Sequence, residues 1–166
     1  MRSLVITILL LCHTALAANV VLVKGTSSTP NEVERNYAES ITRNLDRWLN
    51  EINISHTVID DNKVGSAVLA DAKVVILGYN PFPPRKELWA LRTYIEKGGK
   101  LIVFYSAEPK LAELMNMKLG EQLYAPAGDK WNTMRFLNTA PANVPPVVAQ
   151  ESRVIRAVMP LKKKSQ

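Results

Sequence analysis

The chain has 166 residues, 47% of them apolar and 22% charged, and a formal net charge of +6. That length suits one domain with a core of its own, and a single cysteine, Cys12, excludes a disulfide scaffold and a cysteine-type zinc site. The positive charge is local: residues 18–150 hold 15 Lys+Arg against 14 Asp+Glu, whereas residues 151–166 hold Arg153, Arg156, Lys162, Lys163 and Lys164 against Glu151. No aromatic interleaves the lysines, so a solvated basic end is expected, and no nucleic-acid partner.

The first residues carry Arg2, an apolar run from Leu4 to Cys12 and the small-x-small triplet Ala15-Leu16-Ala17. Residues 1–17 are therefore expected to be a signal peptide, the mature chain exported to the periplasm or beyond the cell, and its cysteine content zero. The run is too short for a permanent anchor and nothing later approaches a spanning length, so no membrane span is expected. Leu11 stands where lipoprotein processing at Cys12 would want a small residue.

Val20 to Lys24 reads as a buried strand, and Thr29-Pro30-Asn31-Glu32 then predicts a helix capped by Thr29 with proline at its first position. Tyr37, Ile41, Leu45, Trp48, Leu49 and Ile52 share one stripe of that helix. His56 to Asp60 and Ala72 to Gly78 are the next two strands. Leu88, Leu91, Tyr94 and Ile95 mark a second amphipathic helix, closed at Gly98-Gly99. Lys100 to Tyr105 is a fourth strand, and Pro109 opens a short helix that ends near Gly120. This alternation predicts an α/β fold: a flavodoxin-like three-layer sandwich with a central, mainly parallel sheet, over residues 18–120. Residues 121–166 form a proline-broken extension with candidate strands at Thr133 to Leu137 and Val154 to Val158. Its ending fits a truncated chain and a frayed basic tail equally.

In an open parallel sheet, ligands bind beyond the carboxyl ends of the strands. Four loops qualify: Gly25 to Thr29, Asp60-Asp61, Gly78 to Asn80, and Tyr105 to Glu108. The ligand-binding candidates are Thr26, Ser27, Ser28, Tyr79, Asn80, Ser106, Glu108 and Trp131, with Tyr79 and Trp131 as stacking partners for a sugar or other flat ligand. The first loop resembles a flavodoxin phosphate loop, but Pro30 removes an N–H, and a helix cap is the simpler reading. Ser106 is a candidate nucleophile by position. It lacks the small flanking residues of a nucleophile elbow, and the sole mature histidine, His56, belongs to the opposite end of another strand. Asp60-Asp61 reads as a pair of solvated turn residues, with no metal site. Trp48 and Trp89 read as packing. Asn53-Ile54-Ser55 is a glycosylation sequon, relevant in a eukaryotic secretory route alone.

Leu69 to Phe104, LADAKVVILGYNPFPPRKELWALRTYIEKGGKLIVF, resembles the class I glutamine amidotransferase-like superfamily, in which a strand ending in glycine leads through a helix and a Gly-Gly to the strand that bears the nucleophile. Catalytic members carry a cysteine backed by a histidine there. This chain has Ser106 in that region and no partner histidine, so the resemblance implies a cysteine-less, non-catalytic type without a cofactor. Val144 to Pro160, VPPVVAQESRVIRAVMP, is similar to the segment after such domains at the front of exported glycoside-hydrolase-like proteins. Together they imply an exported domain for binding or assembly, an accessory module of a carbohydrate-active protein, with carbohydrate or a covalently following catalytic domain as partner. Two alternatives stay open: a flavin- or nucleotide-binding protein using Gly25 to Thr29, and a serine hydrolase centred on Ser106.

Overall fold

The computed structural model describes residues 20–106 and 108–161. The expected leader and the basic tail from residue 162 lie outside the described residues. β1 (Val20–Lys24), β2 (His56–Asp60), β3 (Val74–Leu77) and β4 (Lys100–Val103) form a parallel sheet in the order β2-β1-β3-β4. Alternation along the strands builds the layers. Val21 and Val23 of β1 join Val75 and Leu77 of β3 on one face, where Val64, Leu69, Ala90, Leu91, Tyr94 and Leu111 complete the larger core. Val20, Leu22 and Ile76 point to the other face and meet Leu45 and Leu49. One face thus carries α1 (Glu32–Glu51), and the other carries α2 (Ser66–Leu69), α3 (Arg85–Glu96) and α4 (Pro109–Leu114). This is the expected flavodoxin-like three-layer α/β sandwich. No helix among the described residues is long and apolar enough to cross a membrane.

The start and orientation of α1 differ from expectation. Its N-cap is Asn31, whose side chain accepts from the Glu34 N–H at 2.9 Å; Thr29 instead donates its hydroxyl to the Thr26 carbonyl at 2.8 Å. Asparagine caps at least as well as threonine, so the helix starts two residues later than the Thr29 cap would place it. The buried line is Ala38, Thr42, Leu45 and Leu49, so small residues set the close approach to the sheet. Tyr37, Trp48 and Ile52 stay exposed. Asp46 reaches His56 on the edge strand β2, so helical geometry turns the flank with Tyr37, Trp48 and Ile52 toward the other edge, β4. Ile102 and Phe104 are exposed there as well. Trp48 and Trp89, which read in sequence as packing, are surface residues.

Gly98, at φ +89, ends α3 as expected. The next stop is Asn116, at φ +59, not Gly120. α4 ends at Leu114 and Gly120 lies inside β5 (Met117–Tyr124), which pairs antiparallel with β8 (Val154–Pro160). β6 (Trp131–Arg135) pairs with β7 (Val147–Ser152), and Ala125 donates to the Arg153 carbonyl at 2.9 Å where the two ladders meet. The proline-broken extension is thus a β-ribbon whose prolines and register shifts mask its alternation.

Candidate functional site

Three of the strand-end loops are tied together by their backbones. The Asn80 N–H donates to the Tyr105 carbonyl at 3.0 Å, Phe82 to Ser28 at 3.2 Å, and Phe104 to Leu77 at 3.0 Å. Beneath these loops lies a solvent-excluded polar cluster. Asp61, in a 3-10 turn (Asp61–Lys63) after β2, is 2% exposed and accepts from the Ser27 N–H at 2.9 Å and the Ser28 N–H at 2.7 Å. Its carboxylate occupies the cradle that the first loop would offer to a phosphate. Both backbone donors of Ser27 and Ser28 are engaged by a side chain of the chain itself, which removes the reason to place an external phosphate there.

The sequence pattern puts Asp61 in solvent, and the structure corrects that. The reason is the first loop, whose Ser27 and Ser28 backbone N–H groups need an acceptor at the strand end and find it in a residue more than thirty positions away. Glu87, which reads in sequence as one more polar residue of α3, is also buried, and accepts from the Asn80 amide at 3.3 Å. Burial, and then the charge on Asp61, push its carboxyl up to about 8. Lys24 pairs with Asp60 at 3.4 Å beside this cluster.

Above the cluster, three tyrosines line the surface. The Tyr37 and Tyr79 rings lie 6.3 Å apart and the Tyr79 and Tyr105 rings 5.8 Å apart, each pair tilted. Tyr37 and Tyr105 are more than half exposed. The Tyr79 hydroxyl donates to Glu34; burial and then that carboxylate push it up to about 12, so it remains a donor at physiological pH.

The structure brings Ser27, Ser28, Tyr79 and Asn80 to one place, with Ser106 and Glu108 at its β4 side. The Ser106 hydroxyl accepts from the Glu108 N–H at 3.2 Å, and the Glu108 carboxylate caps α4 at the Lys110 N–H at 3.1 Å. Thr26 anchors the turn through its N–H to the Lys24 carbonyl, 2.9 Å. Trp131 lies on β6 opposite Ser152, in the ribbon and not in the strand-end loops.

His56 opens β2, on the sheet edge opposite to β4, after which Ser106 lies. Its Nδ1 meets the Ile54 carbonyl at 2.8 Å and its Nε2 the Asp46 carboxylate at 2.7 Å. Both partners are acceptors, which suits the imidazolium. Burial lowers its pKa, but the Ile54 carbonyl and Asp46 outweigh that, so it is raised overall. A raised folded pKa contributes stability that is full below the unfolded value near 6.5 and is lost as pH rises through the folded one. Asp46 is 43% exposed, so the effect is screened. Asp46→Asn is expected to remove under ~1 kcal/mol from the stability difference between acidic and alkaline melts.

No family model matches the chain, and no curated protein matches it. Among solved structures it is similar to a ThuA-like protein from Bacteroides uniformis ATCC 8492, at a TM-score of 0.56 and 14% identity, over 82% of this chain and 58% of that one. The chain thus spans less than two thirds of that protein. The similarity is one of fold, a flavodoxin-like α/β architecture with a parallel central sheet.

Proposed function

We propose that this chain is an exported, non-catalytic binding module of the amidotransferase-like type, whose contact surface lies at the carboxyl ends of the sheet strands and whose ligand class is carbohydrate. The observation that carries the reading is the tyrosine surface: Tyr37 and Tyr105 each within stacking range of Tyr79, with Glu34 bonded to the Tyr79 hydroxyl. Sugar rings offer apolar C–H faces to aromatic rings and hydroxyls to carboxylates, which is what this surface presents. The polar groups beneath serve the chain's own loops, and Ser106 and His56 sit at opposite edges of the sheet. The role as an accessory module of a carbohydrate-active protein rests on the resemblance of Leu69 to Phe104 and Val144 to Pro160.

Calorimetric titration of the mature chain with soluble neutral oligosaccharides tests this reading. Tyr105→Ala is expected to weaken binding at least ~tenfold, a stacking contact's worth, while leaving the melting temperature unchanged because the ring is exposed. Binding that ignores Tyr105→Ala, or turnover abolished by Ser106→Ala, overturns it.

A second reading, assembly with another polypeptide, is favoured by a separate observation. β4 is an edge strand, and Ile102, Phe104 and Trp48 are exposed beside it. An open edge next to an apolar flank suits the docking of a neighbouring domain by strand addition.

A further inference from the structure

At the other end of the sheet, where β3 and β4 begin, a cleft of about 400 Å³ opens between α2, α3 and the first residues of both strands. Leu69 and Ala90, both buried, form its apolar floor; Ser66 and Thr93 stand in its walls, and Lys73, Lys97 and Lys100 complete them. No Asp or Glu lines it. The three lysines take part in no ion pair among the described residues, even with Asp71 and Glu96, which lie close to them in sequence. Residues 18–150 hold 15 basic against 14 acidic side chains, so three unpaired cations on one cleft are a local excess and not a share of a general surplus.

The fold fixes where these lysines start. Val74 and Lys100 are partners in the parallel ladder, so Lys73 enters the sheet beside the Gly99-Lys100 turn. Tyr94 holds that turn: its hydroxyl donates to the Lys100 carbonyl at 3.2 Å and accepts from the Lys100 N–H at 3.1 Å. A β-carbon on Gly99 would stand 2.3 Å from the Tyr94 ring, so the close approach needs glycine. The Gly98 and Gly99 N–H groups donate to the Ile95 and Tyr94 carbonyls at 2.9 and 3.0 Å, which caps the negative end of the α3 dipole that would oppose an anion. The Thr93 hydroxyl is engaged by the Trp89 carbonyl at 3.2 Å. The donors left to a ligand are therefore the three ammonium groups and the Ser66 hydroxyl.

We propose that this cleft is an anion site, separate from the tyrosine surface at the carboxyl ends of the strands, and that its ligand is a small organic polyanion bearing carboxylate or phosphate oxygens. An ammonium group is a compact charge with three rotatable donors and takes either oxyanion, whereas an arginine fork would select planar, bidentate partners. Like charges facing one cleft with a low-dielectric floor concentrate their potential inside it. The volume lies at the small end of ligand pockets, and Leu69 and Ala90 offer a carbon skeleton a surface to cover.

Amide magnetic-resonance titration of the chain with citrate, glucose 6-phosphate and inorganic phosphate, at neutral pH and constant ionic strength, tests the site. Citrate or glucose 6-phosphate is expected to shift the Ser66, Lys73 and Gly98 to Lys100 amides saturably, and the tighter of the two assigns the oxyanion. Inorganic phosphate, with no skeleton to cover the floor, is expected to give no saturable shift. Lys97→Gln with Lys100→Gln should weaken binding at least ~tenfold, while Lys86→Gln, on the first turn of α3 and outside the cleft, leaves it unchanged. All three lysines substituted are exposed, so each variant is expected to melt with the wild type. Saturable binding of inorganic phosphate overturns the organic class. No saturable shift with citrate or glucose 6-phosphate, or equal weakening by Lys86→Gln, overturns the site.

Discussion

Gly25→Ala is expected to cost at least ~4 kcal/mol, a large part of the stability of an ordinary domain. A β-carbon at residue 25 would stand 2.0 Å from the Tyr79 carbonyl oxygen, 2.6 Å from the Ser28 hydroxyl and 3.0 Å from the Asn80 side chain. The nearest of these is backbone, on a loop held by the Asn80 to Tyr105 hydrogen bond, and cannot turn aside as a flexible side chain would. Strand β1 must therefore separate from the end of β3, or the first loop must leave its place. Urea denaturation of the variant checks this; a loss under ~1 kcal/mol means that the two strand ends part without cost.

Asp61→Ala is expected to cost about 2 to 3 kcal/mol, because the buried Ser28 N–H and the part-buried Ser27 N–H lose a charged acceptor, and water replaces it poorly at Ser28. Relief of the repulsion on Glu87 offsets part of the loss, and the Glu87 carboxyl should then titrate nearer its ordinary range. The two N–H groups remain aimed at the vacated cradle. Inorganic phosphate is therefore expected to recover part of the stability of Asp61→Ala and to add nothing to the wild type, since there the carboxylate already fills the place. Equal response of both proteins to phosphate, in thermal melts at constant ionic strength, contradicts the internal anion.

The layers of this fold are legible in the sequence because their signals are local and repeated. Val20 to Lys24 and Val74 to Leu77 are apolar on both faces, as central strands must be, and Gly98 stops α3 with the positive φ only glycine adopts cheaply. The rotation of α1 is not legible. Tyr37 and Trp48 fit an apolar stripe by spacing, yet Ala38 and Thr42 set the contact, because the sheet beneath decides how near the helix axis comes. The ribbon is half visible, since Gly120 resembles a helix stop while Asn116 is the actual one.

The candidate site divides in the same way. Ser27, Ser28, Tyr79 and Asn80 come from the rule that ligands meet strand ends, whereas the burial of Asp61 and Glu87 depends on partners 33 residues away in one case and across a helix start in the other. A carboxylate in a short acidic run carries no sequence mark of the backbone N–H groups that await it.

The most direct test of the proposed binding role is a magnetic-resonance titration of the ring-labelled chain with neutral oligosaccharides. Tyr37, Tyr79 and Tyr105 are expected to shift together and saturably, while Trp89, exposed on α3 at the opposite face of the sheet, does not move. Shifts at Trp89 without shifts at the tyrosines, no shifts with any sugar, or hydrolysis of the sugar during the titration would contradict it.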